Sequence, residues 1–223
     1  MKLGYLVVAN DVAPGAEAAF ERWYQGEHLA ERLGVPGFRN ARRYVAVKGA
    51  PRYAALYETD DPGVLASDAY RARLEAPTEM TRSIMPSFRN MNRTVMQCDY
   101  RGIRGVGVLL DLVTVLRGKQ APVQVAELLA GLARDPAFEG LVLLSSAQLP
   151  AVSGTEEGRL RSAPDASIEA AALVHWADLP GHRPLDPRPL LADAGLGAGP
   201  GPDGRYRLLT ARGRFDLLGW ADS

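Results

Sequence analysis

The sequence predicts an α+β protein made of two tandem ferredoxin-like units, each with the element order β-α-β-β-α-β, and three observations carry this. Short runs rich in Val, Leu and Tyr alternate with amphipathic helical runs through the first part of the chain. The same order of elements recurs in the remainder, with little residue identity between the two parts. Hydrophobic residues make up 47% of 223, enough to core one large domain or two small ones. The first unit is placed at residues 1–101 and a degenerate second unit at 102–223.

The elements follow in order. Residues 3–9 alternate weakly and read as a strand. Asp11-Val12-Ala13-Pro14-Gly15 turns into a helix over 16–33, which Gly34 and Pro36 end. Strands at 39–47 and 52–58 form a hairpin around Gly49-Ala50-Pro51. A second helix starts at Asp60-Asp61-Pro62, with an aspartate as N-cap and proline where no N–H donor is needed, and runs to about Leu74. A loop containing Pro77 and Pro86 leads to a strand at 91–100. In the second unit, strands are expected at 105–113, 138–148, 168–176 and 205–212, with helices at 122–134 and 187–194. Two long stretches, 150–165 and 195–204, carry no cluster of aromatic or titratable groups and read as mobile surface.

Charge and cysteine content narrow the partners. Lys plus Arg equals Asp plus Glu at 26 each with no long basic run, which argues against nucleic acid. No charged leader or 18-residue apolar run is present, so a membrane partner is not expected and a cytoplasmic location is the default. The single cysteine, Cys98, rules out an intrachain disulfide and a multi-cysteine metal site, and reads as a packed thiol.

The richest stretch is Phe20-Glu21-Arg22-Trp23-Tyr24-Gln25-Gly26-Glu27-His28-Leu29, followed by Val35-Pro36-Gly37-Phe38. Helical spacing groups Phe20, Tyr24 and His28, with Trp23 and Glu27 across the same stripe. His28 at the flank of a buried face is either a proton-transfer group in an apolar pocket or a structural histidine closing the helix end. Tyr5, Tyr44, Tyr53 and Tyr57 lie on three strands of one sheet. Alternation puts Tyr53 with Tyr57, and Tyr44 with Asn40 and Arg42. A face of phenols plus a guanidinium suits an oxygenated aromatic or a polyketide-like acid, while the same tyrosines serve equally as core residues with hydroxyls at the rim. Arg42 and Arg43 point to opposite faces, one inward and the other to the surface. Met80, Met85 and Met91 could cover a pocket or simply pack an irregular connection. His175 and His182 make no metal-ligand spacing with His28, and neither a phosphate loop nor a Gly-x-Ser-x-Gly elbow occurs.

Trp23-Tyr24, Glu27-His28, Val35-Pro36-Gly37-Phe38, Ala41-Arg42-Arg43-Tyr44 and Pro51-Arg52-Tyr53…Leu56-Tyr57-Glu58 together resemble the dimeric α+β barrel superfamily, most closely its EthD-like branch. The resemblance covers about residues 3 to 100; beyond that only the element order agrees. It implies that two ferredoxin-like sheets close a barrel, within one chain or between two. It also implies chemistry like that of cofactor-free monooxygenases, isomerases and cyclases, although haem-dependent members exist and the fold does not choose a reaction. His28 matches the helix histidine taken as functional in that branch. The second unit has no counterpart of it, so one pocket per chain is implied.

The function expected is a cofactor-independent enzyme on a small aromatic or polyketide-like substrate. His28 acts as acid or base, with Tyr24, Tyr44 and Tyr57 as catalytic hydrogen-bond donors, and Trp23, Arg42 and Tyr53 bind the substrate; no cofactor and no metal are expected. The alternative is a non-catalytic ligand-binding or assembly protein. Open strand edges make a homo-oligomer a further expectation.

Overall fold

In the computed structural model, which describes residues 2–118, 120–149 and 154–214, eight strands close one antiparallel barrel. The weak alternation of the first strand has a direct cause. β1 (Gly4–Val12), β3 (Tyr53–Thr59), β5 (Leu109–Val115) and β7 (Ala170–Trp176) are covered on both faces and so carry apolar residues on both. β2 (Phe38–Ala50), β4 (Phe88–Ile103), β6 (Phe138–Ser146) and β8 (Ala198–Gly213) flank them. The strand order is β4-β1-β3-β2 in the first half and β8-β5-β7-β6 in the second.

The halves join along two seams. β2 pairs with β8 from Asn40↔Gly213 to Ala50↔Asp203, and β4 pairs with β6 from Met96↔Ser146 to Ile103↔Gly140. The barrel therefore closes within a single chain, which removes the open edges on which self-association was expected. Tyr206 ties the β2–β8 seam further, donating its hydroxyl to the Pro51 carbonyl at 2.9 Å.

Three apolar layers result. Inward-facing residues of both halves, among them Val7, Tyr44, Leu56, Met96, Leu112, Leu144, Leu173 and Tyr206, fill the barrel. On the outer face of the first sheet lie α1 (Glu17–Trp23), a π-helical turn (Tyr24–His28) and α2 (Leu29–Leu33), with α3 (Asp68–Glu75) and α4 (Glu79–Ile84) beside them. On the outer face of the second lie α5 (Pro122–Leu132) and α7 (Arg188–Asp193). Cys98 packs in the barrel layer, where burial raises its thiol to about 11, so it is an inert packed group.

Several sequence expectations need correction. The expected single helix from Asp60 is two pieces: Asp61 caps a 3₁₀ turn (Pro62–Ala66) by accepting from the Gly63 N–H, and Ser67 caps α3. The loop around Pro77 and Pro86 contains α4, because the Thr78 hydroxyl accepts from the Thr81 N–H and starts a helix between the prolines. The Gly/Pro-rich stretch at 195–204 is not loose surface. From Ala198 it is strand, pairing with β5 and β2, and Gly49, opposite Gly204, sits at φ +98°, where a Cβ would collide with the Asp203 backbone. The stretch at 150–165 includes α6 (Glu156–Arg159), docked on α3; its residues 150–153 lie outside the described residues.

Because both halves share the barrel layer, they should unfold together. Leu112→Ala, at a fully buried site, is expected to cost about 2–5 kcal/mol in urea unfolding while leaving one transition. Two separate transitions would show that the halves are independent cores.

Candidate active site

The helix that carries His28 is not uniform. Between α1 and α2 the five residues Tyr24-Gln25-Gly26-Glu27-His28 form a π-helical turn, with the Leu29 N–H donating to the Tyr24 carbonyl five residues back. Such single turns gather at functional sites because the extra residue re-aims side chains. Here it changes the α-helical expectation, which separated Trp23 from His28. The two rings now lie one above the other with centroids 4.0 Å apart. Tyr24 meets His28 edge-on at 5.1 Å, and Tyr57, from β3, at 6.3 Å. Glu27 is turned elsewhere: its carboxylate accepts from the Thr78 and Thr81 hydroxyls, and the Trp23 indole also donates to Thr81, at 2.9 Å, pinning α4 to the turn.

His28, Trp23, Tyr24 and Tyr57 line a cavity of about 20 Å³ between the helices and the outer face of the first sheet. That volume admits about one water and no organic substrate. Leu6, Val8, Phe88, Met85 and Met91 supply apolar wall, while Met80 is exposed and takes no part. The polar groups are Arg32, Arg93, Tyr70 and Glu157.

The electrostatics are unusual for so small a space. Arg32 is 2% exposed and pairs with Glu157, itself buried. Burial disfavours its charge, but the Glu157 carboxylate and Tyr70 more than offset this, so Arg32 stays a cation. Arg93 donates to the Tyr70 hydroxyl at 2.7 Å. Arg43 grips Glu21 through both terminal nitrogens, at 2.7 and 3.0 Å, and lies 3.9 Å over the Tyr24 ring. Burial first, then the charges of Arg32 and Arg43, hold the His28 imidazole neutral, well below its ordinary value. Burial also raises the Tyr24 and Tyr57 phenols, which stay protonated and interact with each other. His28 Nδ1, Arg32 Nη1 and the Tyr57 hydroxyl are buried without a hydrogen-bond partner. An orphaned buried polar atom costs about 1–3 kcal/mol, so three beside one cavity call for an occupant.

The remaining sequence candidates lie apart from this cavity. Tyr44 points into the barrel layer, on the far side of the sheet; burial pushes its phenol up to about 12 and its hydroxyl has no partner. Arg42 shares that face, 3.9 Å from Glu58, which also accepts from Tyr5 at 3.0 Å. Tyr53 faces the helices with Tyr57, as alternation requires, but packs on Phe20 at 4.7 Å rather than on the cavity. Neither Arg42 nor Arg43 is a surface charge, since their side chains are 11% and 1% exposed. His175 stands in a strand facing the barrel layer, held neutral to about 3 by burial and by Arg42 and Arg101; His182 pairs with Asp135 at 2.7 Å.

Sequence reasoning missed four groups. Arg32 was legible, one helical turn beyond His28 on the same face, and Arg93 shares strand alternation with Met91 and Val95. Tyr70 and Glu157 reach the cavity only through the tertiary fold. The outer layer of the second half holds a different arrangement. Its buried carboxylate, Asp111, accepts from Trp176 at 2.8 Å and from Arg205 at 2.6 Å, and so is fully engaged. A larger groove of about 770 Å³ lies where β4 departs from β6, lined by Thr94, Thr114, Gln148 and Glu169, and Arg93 is common to it and to the cavity.

No protein-family model matches this sequence, and no curated protein matches it. Solved structures do resemble it. An anthrone oxidase-like protein superposes with a TM-score of 0.55 at 11% identity, covering 96% of this chain and 93% of that one. A candidate monooxygenase of Fusobacterium nucleatum gives 0.52 at 8% identity, covering 95% and 94%. A candidate chlorite dismutase gives 0.52 at 10% identity, covering 99% of each. At such identities the likeness is one of architecture, and it runs through nearly the whole chain. By fold, this chain is similar to these proteins: a closed eight-stranded antiparallel barrel with helices on its outer faces, here built from one polypeptide.

Proposed function

We propose that the protein is an enzyme that removes a proton from a small aromatic or polyketide-like substrate, with His28 as the general base. The observation that carries this reading is the neutral, partnerless Nδ1 of His28 beside the partnerless Nη1 of Arg32. A neutral imidazole can take a proton from a phenol or from carbon next to a carbonyl, leaving a phenolate or enolate. Arg32 then stabilises the anion, and Tyr24 and Tyr57 remain protonated to donate hydrogen bonds to it. Trp23 backs the imidazole and fixes its plane. Arg32 takes the role expected of Arg42, and Tyr44 has no part, because the sheet stands between it and His28. The reading needs no cofactor for the proton transfer. Isomerisation, cyclisation and reaction with oxygen all lie downstream of such an anion, and the neighbours described as anthrone oxidase-like and as a monooxygenase favour the last.

The matching strand orders of the halves support an internal duplication near residue 101, with the pocket kept in the EthD-like first half and the second half acting as scaffold. The size of the cavity favours one rival, a non-catalytic barrel protein in which His28 is a packed ring. Solvent deuterium incorporation into a panel of phenolic ketones and β-keto acids separates the two. His28→Gln is expected to slow it about 10²- to 10⁴-fold with little change in Tm. A variant as fast as the parent, or one that loses stability and activity in parallel, would sink the catalytic role.

The neutral histidines also set a pH dependence. Below about pH 6.5 the unfolded chain protonates His28 and His175 and the folded chain does not, so stability falls as pH drops through that value. Each is expected to cost about 2 kcal/mol by pH 5. Urea unfolding at pH 7 and pH 5 should show the loss shrink by about half in His28→Gln; an unchanged loss would mean that His28 is already protonated in the fold.

A further inference from the structure

The carboxylate that closes the cavity comes from the other half of the chain. Glu157 lies on α6, in the long connection between β6 and β7, yet its side chain is buried among first-half residues beside His28. It shares its charge between two guanidiniums, pairing with Arg32 through Oε2 and lying 3.8 Å from Arg161 through Oε1. Around it the cations outnumber what it can satisfy. Arg43 is matched by Glu21 and Arg161 by Asp165, but among the described residues Arg93 pairs with no carboxylate and donates to the Tyr70 hydroxyl, and Arg32 keeps one nitrogen unpartnered.

The remaining contacts of this segment are mostly polar. Arg82–Glu156 at 3.5 Å and Arg159–Glu156 at 2.9 Å are exposed pairs, and the Glu156 N–H donates to Glu75 at 3.2 Å. Arg89 reaches Ser162 at 3.2 Å, Ser162 donates to the Phe88 carbonyl at 3.5 Å, and Arg161 lies 3.9 Å from Met85 Sδ. Just beyond, Ala166 exchanges backbone bonds with Met91 and Arg93 at 2.8 and 2.9 Å. Leu160 is its partly buried apolar anchor on the first-half core. Glu157 is thus the buried charged contact of residues 155–162 with the first half, and the bridge at Ala166 anchors the end of the segment that leads into β7.

Resting on the reading of this cavity as the reaction site, we infer that Arg32, with Arg93 beside it in the cavity wall, forms a carboxylate subsite, that Glu157 occupies it when the protein is empty, and that the substrate is a small aromatic carboxylate that takes its place. The exchange is one carboxylate for another, so Arg32 never loses its counter-charge, while Glu157 regains water. A neutral ligand that displaced Glu157 would strand a buried guanidinium, and so is selected against. Displacement also lifts the segment, which makes room that the closed cavity of about 20 Å³ lacks. The aromatic walls Trp23, Tyr24, Tyr57 and Phe88 then receive the ring.

Salicylate and its neutral isostere salicylamide serve as probes. If the closed form outweighs the open one about tenfold, removing the internal competitor by Glu157→Gln should tighten salicylate binding about tenfold by calorimetry. Salicylamide should bind neither protein measurably. Hydrogen exchange in 154–165 of the parent protein should quicken when salicylate saturates it. Binding that is unchanged or weaker in Glu157→Gln, equal binding of salicylamide, no binding of salicylate to either protein, or exchange that slows or stays constant would each overturn the inference. Should Glu157→Gln fail to fold, the parent's salicylate preference and exchange response decide alone. The base is tested separately: salicylate should still displace the segment in His28→Gln, so failure of the subsite and failure of the base give different results.

Discussion

A four-stranded sheet carrying helices on one face leaves its other face apolar and its two edge strands unpaired. Here a second sheet from the same chain meets both needs at once, through the β2–β8 and β4–β6 seams. The outer faces are left to the helices, and the barrel layer becomes a common core that neither half can keep alone. Closing the barrel in one chain also fixes where connections must run. The segment between β6 and β7 starts beside β4, since β6 pairs with β4, and so comes to rest against the first-half helices rather than its own. That geometry delivers Glu157 to Arg32.

Inside the outer layer of the first half, charge is concentrated where water is scarce. Four arginines approach the cavity, and each is matched by a carboxylate or a phenol hydroxyl, which lets guanidiniums stay charged in an apolar setting. The same positive field and the same burial keep His28 neutral. One environment thus fixes the ionisation of the acceptor and of the groups that would stabilise its product anion. The second half shows the alternative, for Asp111 meets Trp176 and Arg205 with both oxygens and leaves nothing unpaired. Completed pairing reads as architecture; among the described residues the buried side-chain atoms without a hydrogen bond lie at the cavity of the first half, on Arg161 beside it, and on Tyr44, His175 and Asn40 in the sheet.

Much of this was legible in the residues. The periodicities gave eight strands in the right order, and the spacing in β3 put Tyr53 and Tyr57 on one face, which the fold turns toward the helices. The aromatic run around His28 pointed to a cavity that exists. Errors came where local signals are blind to partners. Gly and Pro in 198–204 read as loop, but at the seam they allow two backbones to approach closely, which glycine alone permits without a collision. The Arg42-Arg43 pair was divided into one inward and one surface charge, because a sequence does not say that both faces of a strand will be covered.

The sequence by itself determined the strand and helix order and the company His28 keeps on its own helix, because those depend on side-chain period and on residues within a turn or two. It did not determine the π-helical turn that stacks Trp23 on His28, since α and π turns are separated by one hydrogen bond and the choice is made by packing on the sheet and on α4. Nor did it determine that Tyr44 and His28 face opposite layers, or that Glu157 meets Arg32 across 125 positions. Those contacts join residues far apart in the chain, and only the closing of the barrel brings them together.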